Sequence, residues 1–97
     1  MVIGSLTARL LVRDSRTLKD KRQVVRSILD KARAGFDVAA AEVGSLDDVK
    51  VAELAFAAVG PEAAMVRGVL QKLAEALRRH PVAEYLGGDL TVGHEVV

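Results

Sequence analysis

The side chains able to carry acid–base or covalent chemistry are few. His80 stands before Pro81 at the end of a helical stretch, where an imidazolium would complement the helix dipole, and His94 alternates with Val92 and Val96 as an edge-strand histidine would. Cysteine is absent, which removes disulfides, thiol nucleophiles and thiolate metal ligands together and fits a reducing compartment. No Ser-His-Asp spacing, paired carboxylates or metal-ligand cluster occurs. Glu42, Asp47 and Asp48 read as a solvated acidic hairpin, and Gly87-Gly88, with no Lys-Ser/Thr after it, reads as a turn rather than a phosphate loop. The inventory predicts a non-enzymatic protein without cofactor or metal.

Cations are another matter. Residues 1–34 carry nine Lys or Arg against three acids, whereas residues 35–97 carry five against ten, so a net charge of +1 conceals halves of +6 and −5. Within Thr17 to Arg26, TLKDKRQVVR, Lys19, Lys21 and Arg22 crowd the start of a helix, which already bears about half a positive charge from its free N–H groups. At 100° per residue, Lys19, Arg22, Arg26 and Arg33 fall within about 60° of arc, in a stripe roughly 21 Å long that suits the phosphates of a nucleic-acid backbone. The plain alternative is a solvated helix face. Arg13, Ser15, Arg16, Thr17 and Lys21 form a second set, a strand-to-helix loop able to hold a small anion, although Ser15 and Thr17 are also good caps. Lys21 falls inside the apolar arc, where its stem covers core edge and its ammonium snorkels out.

The elements that position these groups follow from periodicity. Val2 to Arg13 alternates as a strand; Thr17 with Asp20 at N3 opens a helix that runs to Gly35; Phe36–Val43 and Lys50–Val59 are strands joined by a turn-like GSLDDV. Pro61-Glu62 opens a second helix with Pro at N1, obeying the dipole rule with Glu62 in its first turn and Arg78, Arg79 and His80 in its last, and Leu90, Val92, His94 and Val96 make a final strand. The βαββαβ order predicts an α+β, ferredoxin-like domain spanning residues 1–97, a four-stranded antiparallel sheet with both helices on one face. Its other face looks small and apolar, with Leu11, Ala39, Ala41, Val51, Ala55, Ala57 and Val59, which predicts a homodimer formed through that face. Only Phe36, Phe56 and Tyr85 are aromatic, so the base-stacking surface of sheet-type RNA binders is lacking. The N-terminus carries no signal or membrane-spanning pattern, which predicts a soluble cytoplasmic protein, and the shortage of Asn and Gln points to a thermophilic source.

MVIGSLTARLLV, TLKDKRQVVRSI and FDVAAAEVG together resemble the YlxP-like proteins, a bacterial family of about this length whose function is unknown. Leu18-Lys19-Asp20-Lys21-Arg22 is similar to that family's LKDKR signature, while Asp47-Asp48-Val49 stands where the family usually carries an aromatic. The resemblance implies a ferredoxin-like fold and a loose association with ribosomes or RNA. Three functions thus compete: RNA-backbone binding through Lys19, Arg22, Arg26 and Arg33; protein–protein interaction through the apolar sheet face; and small-anion sensing by the loop from Arg13 to Lys21.

Overall fold

The computed structural model describes residues 1–94; the expected strand position Val96 lies outside the described residues. Along the chain run β1 (Val2–Leu11), α1 (Leu18–Phe36), β2 (Ala39–Gly44), β3 (Val51–Gly60), α2 (Ala63–Arg78) and β4 (Glu84–His94). The strands form one antiparallel sheet in the order β2-β3-β1-β4. This is the ferredoxin-like βαββαβ arrangement.

Alternation decides which side each strand residue takes. Val2, Leu6, Ala8 and Leu10 of β1 are buried, while Ile3, Ser5, Thr7 and Arg9 are exposed on the opposite face. Leu6 pairs with Phe56 of β3 and Leu90 of β4, which sets the centre of the sheet beneath the helices. Val25, Ile28 and Leu29 of α1 and Val66, Leu70 and Leu73 of α2 recur at helical spacing and close the core from above. Burial of a side chain such as Leu70, fully enclosed, stabilises the fold by about 2–3 kcal/mol.

Three boundaries differ from the sequence reading. Gly35 does not end α1; the helix continues through Phe36 and stops at Asp37, which adopts the left-handed conformation at φ 53°. Glu62 is the N-cap of α2 rather than a first-turn residue and makes no side-chain cap bond, so Pro61 precedes the helix. Gly87-Gly88 is not a turn but lies inside β4, at a register irregularity opposite Arg9 and Leu10. Gly87 has φ 148°, and a Cβ on Gly88 would run into the carbonyl oxygen of Thr7, so close approach and backbone conformation, not chain reversal, require the glycines.

Candidate functional site

The start of α1 resolves much of its own charge conflict. Thr17 Oγ1 accepts from the Asp20 N–H at 3.1 Å, while Asp20 Oδ2 accepts from the N–H groups of Arg16 (3.1 Å) and Thr17 (3.2 Å), completing a capping box. The Arg16 N–H bond, with those to Thr17, holds the Asp20 carboxyl below its ordinary range. An external anion would need the place that Asp20 already fills. The cap expected at Thr17 and Asp20 is thus formed, and the helix with the crowded cations is the better capped of the two, since Glu62 makes no cap bond at the start of α2.

Lys21 does not snorkel. Its side chain is wholly enclosed and its Nζ donates to the carbonyls of Ser45 (2.8 Å) and Val51 (3.0 Å), at the two ends of the β2–β3 connection. Glu42 Oε2 lies 3.2 Å from the same ammonium as an ion pair, yet out of hydrogen-bonding alignment, and has no hydrogen-bond partner among the described residues. From the other side Lys50 Nζ donates to the carbonyls of Arg13 (2.5 Å) and Ser15 (3.0 Å), and the Val12 N–H donates to the Lys50 carbonyl (2.8 Å). Two lysines thus lace the β1–α1 loop to the β2–β3 hairpin.

This lacing dissolves the supposed anion loop. Arg13 Nη2 donates to both carboxylate oxygens of Glu84 (2.9 and 3.0 Å), Ser15 is buried and donates to the Thr17 carbonyl, Thr17 caps the helix, and Lys21 faces inward. Of the five, only the Arg16 side chain is exposed and without a partner among the described residues.

The charge split between the halves is likewise used internally. Arg9–Glu53, Arg13–Glu84 and Lys21–Glu42 each join a cation of residues 1–34 to an acid of residues 35–97. Arg33 leaves the stripe in a different way: it pairs with Asp30 at 3.2 Å and donates to the Ala40 carbonyl of β2 at 2.6 Å. What remains on that side of α1 is Lys19, Arg22 and Arg26, all exposed and, among the described residues, free of acidic partners.

The outer sheet face is brought together only in part. Ala39 pairs with Ala57 and Ala41 with Ala55, so these four and Val59 form one apolar half on β2 and β3. Leu11 and Val51 pair at the far end, half-buried, separated from that cluster by Arg9 and Glu53. On β1 the apolar patch continues at Ile3, which pairs with Val59, while Ser5 opposite Thr91 and Thr7 opposite Asp89 make the middle of β1 and β4 polar.

Two features had no signal in the sequence. Arg78 lies over the Tyr85 ring, 5.0 Å from its centroid, and His80 Nδ1 accepts from the Val82 (3.2 Å) and Ala83 (3.0 Å) N–H groups. Burial, with Lys31 adding, pushes the His80 pKa down, so it serves as a neutral acceptor rather than a dipole-complementing cation. Among the described residues no group of three or more His, Asp or Glu is placed to hold a metal ion, and no helix is long and apolar enough to cross a membrane.

Residues 3–88 match the family described as Protein of unknown function (DUF503). The chain belongs to that family. No curated protein matches it. The DUF503 match contains the whole of α1 and the hairpin it is laced to, so the free cations and the buried lysine both lie on the family's shared segment.

Proposed function

We propose that this DUF503 protein is a small, non-enzymatic, cytoplasmic RNA-binding protein of the YlxP-like kind, associated with ribosomes and contacting RNA backbone through α1. The observation that carries the reading is the residue of charge left after internal pairing: Lys19, Arg22 and Arg26 share one exposed flank and have no acidic partner among the described residues. Arg33, tied to Asp30 and Ala40, holds the flank against β2 instead of reaching outward. Three phosphate contacts give a slope of log K against log salt of roughly −2 to −3. The polar middle of β1 and β4 on the outer face has no exposed aromatic, which favours backbone or duplex recognition over base stacking.

The test is fluorescence anisotropy with structured ribosomal RNA across a salt series. Arg22→Glu with Arg26→Glu is expected to abolish binding while circular dichroism and melting stay native, because both side chains project into solvent. Wild type without salt-dependent affinity at low ionic strength refutes the reading. A second reading, a protein-interaction module, is favoured by the contiguous apolar half Ala39, Ala41, Ala55, Ala57 and Val59; there Ala55→Lys with Ala57→Lys would release a bound protein while leaving RNA affinity unchanged.

A further inference from the structure

The sheet has two free edges, and they are not equally protected. At β2 the Arg33 guanidinium takes the Ala40 carbonyl, so a cation guards that six-residue edge. β4 is eleven residues long, contains no proline or lysine, and among the described residues has no element lying along its outer side. The Asp89 N–H is turned toward β1, where it donates to Thr7 Oγ1 at 3.2 Å. Alternation along the antiparallel ladder then turns the N–H and C=O groups of Leu90 and Val92 outward. Beside this edge, between β4 and α2, opens a cleft of about 450 Å³ over Ala74 and Gly88, walled by Tyr85 and Arg78.

We propose that the β4 edge pairs antiparallel with β4 of a second copy of this chain, about a two-fold axis at Leu90, to make a continuous eight-stranded sheet. This assembly goes beyond the RNA-binding reading and uses neither Arg22 nor Arg26. In that register Leu90 meets Leu90 of the second copy, Asp89 meets its Thr91 and Gly88 meets its Val92. The side chain of that Val92 enters the cleft over Ala74, beside the Tyr85 hydroxyl that lies over Gly88, and no like charges face each other; a register one pair away would set Asp89 against Asp89. Pairing from Gly87 to Gly93 covers roughly 23 Å of edge, which with the filled cleft remains in the small-interface class and gives micromolar rather than nanomolar association. The outer sheet face is the poorer place for a second copy, because Ser5, Thr7, Arg9, Glu53, Asp89 and Thr91 interrupt its apolar residues and four of those are alanine.

The absence of native cysteine allows a clean test. Facing Leu90 residues would sit about 5.5 Å apart at Cα, within disulfide range, so oxidised Leu90→Cys is expected to run as a covalent dimer and Ala57→Cys, on the outer face, as a monomer. Val92→Pro removes an outward N–H without taking a bond from the β1 ladder and should weaken self-association at least tenfold in sedimentation. Wild type that sediments as a monomer at millimolar concentration overturns the assignment, as does cross-linking by Ala57→Cys in place of Leu90→Cys. Because the cross-link needs no intact Val92, the proposal stays testable even if Val92→Pro unfolds.

Discussion

The two βαβ halves place the fourth residue of their helices alike and fill the position with opposite chemistry. In the second half it is Val66, whose methyl groups press so close to Gly4 and Gly60 that a Cβ on either would lie 2.6 and 3.1 Å from them. In the first half it is Lys21, equally buried, with its ammonium on two carbonyls and beside Glu42. The sixteenth helical residue is Arg in both, Arg33 on the β2 backbone and Arg78 on the Tyr85 ring. The reason for the contrast lies in β2, which packs only the half-buried Ala40 against the core, whereas β4 packs Tyr85, Leu90 and Val92 there. A strand with so little apolar anchorage is held by directed polar bonds from the helix above it, whereas β3 and β4 are held by packing. A buried ion pair of this kind is weak evidence of net stability but is costly to break, so it fixes the position of the hairpin more than it deepens the energy well.

Exchanging the chemistry between halves is the most drastic way to probe this. Val66→Lys would put an ammonium against two glycine backbones, and the chain is expected to lose at least about 4 kcal/mol and be largely unfolded at 25 °C by circular dichroism. Lys21→Met leaves the Ser45 and Val51 carbonyls and the Glu42 carboxylate without their cation; a loss of about 3–5 kcal/mol in urea melts is expected, part of it regained on adding Glu42→Leu. A Lys21→Met protein as stable as wild type would show that apolar packing holds both halves. At the helix starts, Thr17→Ala should cost about 1 kcal/mol, while Glu62→Ala, which removes no cap bond, should leave the midpoint within experimental error.

The finest contrast is in pH. His80 is held below its ordinary 6.5, so the unfolded chain takes up its proton first; stability is complete above that value and declines as pH falls from 6.5 through the lower folded pKa. Asp20 acts in the same direction at more acid pH: its contribution is present above its ordinary 3.8 and is lost as pH falls through its depressed folded value. His80→Gln should flatten the first decline and leave the second, read as melting temperature against pH.

Much of the fold was legible because strand alternation and helix spacing are local. The capping box at Thr17 and Asp20, the βαββαβ order and the burial of Val25, Ile28 and Leu70 all follow from residues a few positions apart. The candidate site was legible only as a face. Helical spacing put Lys21 on the apolar side, but its acceptors lie 24 and 30 residues away and are backbone atoms, which carry no residue-type signature. The partners that remove Arg9 and Arg13 from any shared anion site, Glu53 and Glu84, are equally distant in sequence. Gly87-Gly88 was misread because a glycine pair marks both turns and bulges, and only the neighbouring Thr7 carbonyl distinguishes them.

The enclosure of Lys21 also gives the molecule a built-in chemical reporter. Lys19, Lys31, Lys50 and Lys72 are exposed, whereas the Lys21 amine has no contact with solvent while α1 sits on the hairpin. An amine-acylating reagent must wait for that contact to open before it can reach Lys21, so where reclosing outpaces acylation the rate of labelling there measures the population of the opened state. Peptide mass spectrometry of a timed acylation would thus read the opening free energy of the α1–hairpin contact from a single residue, with Lys19, Lys31 and Lys72 supplying the intrinsic rate.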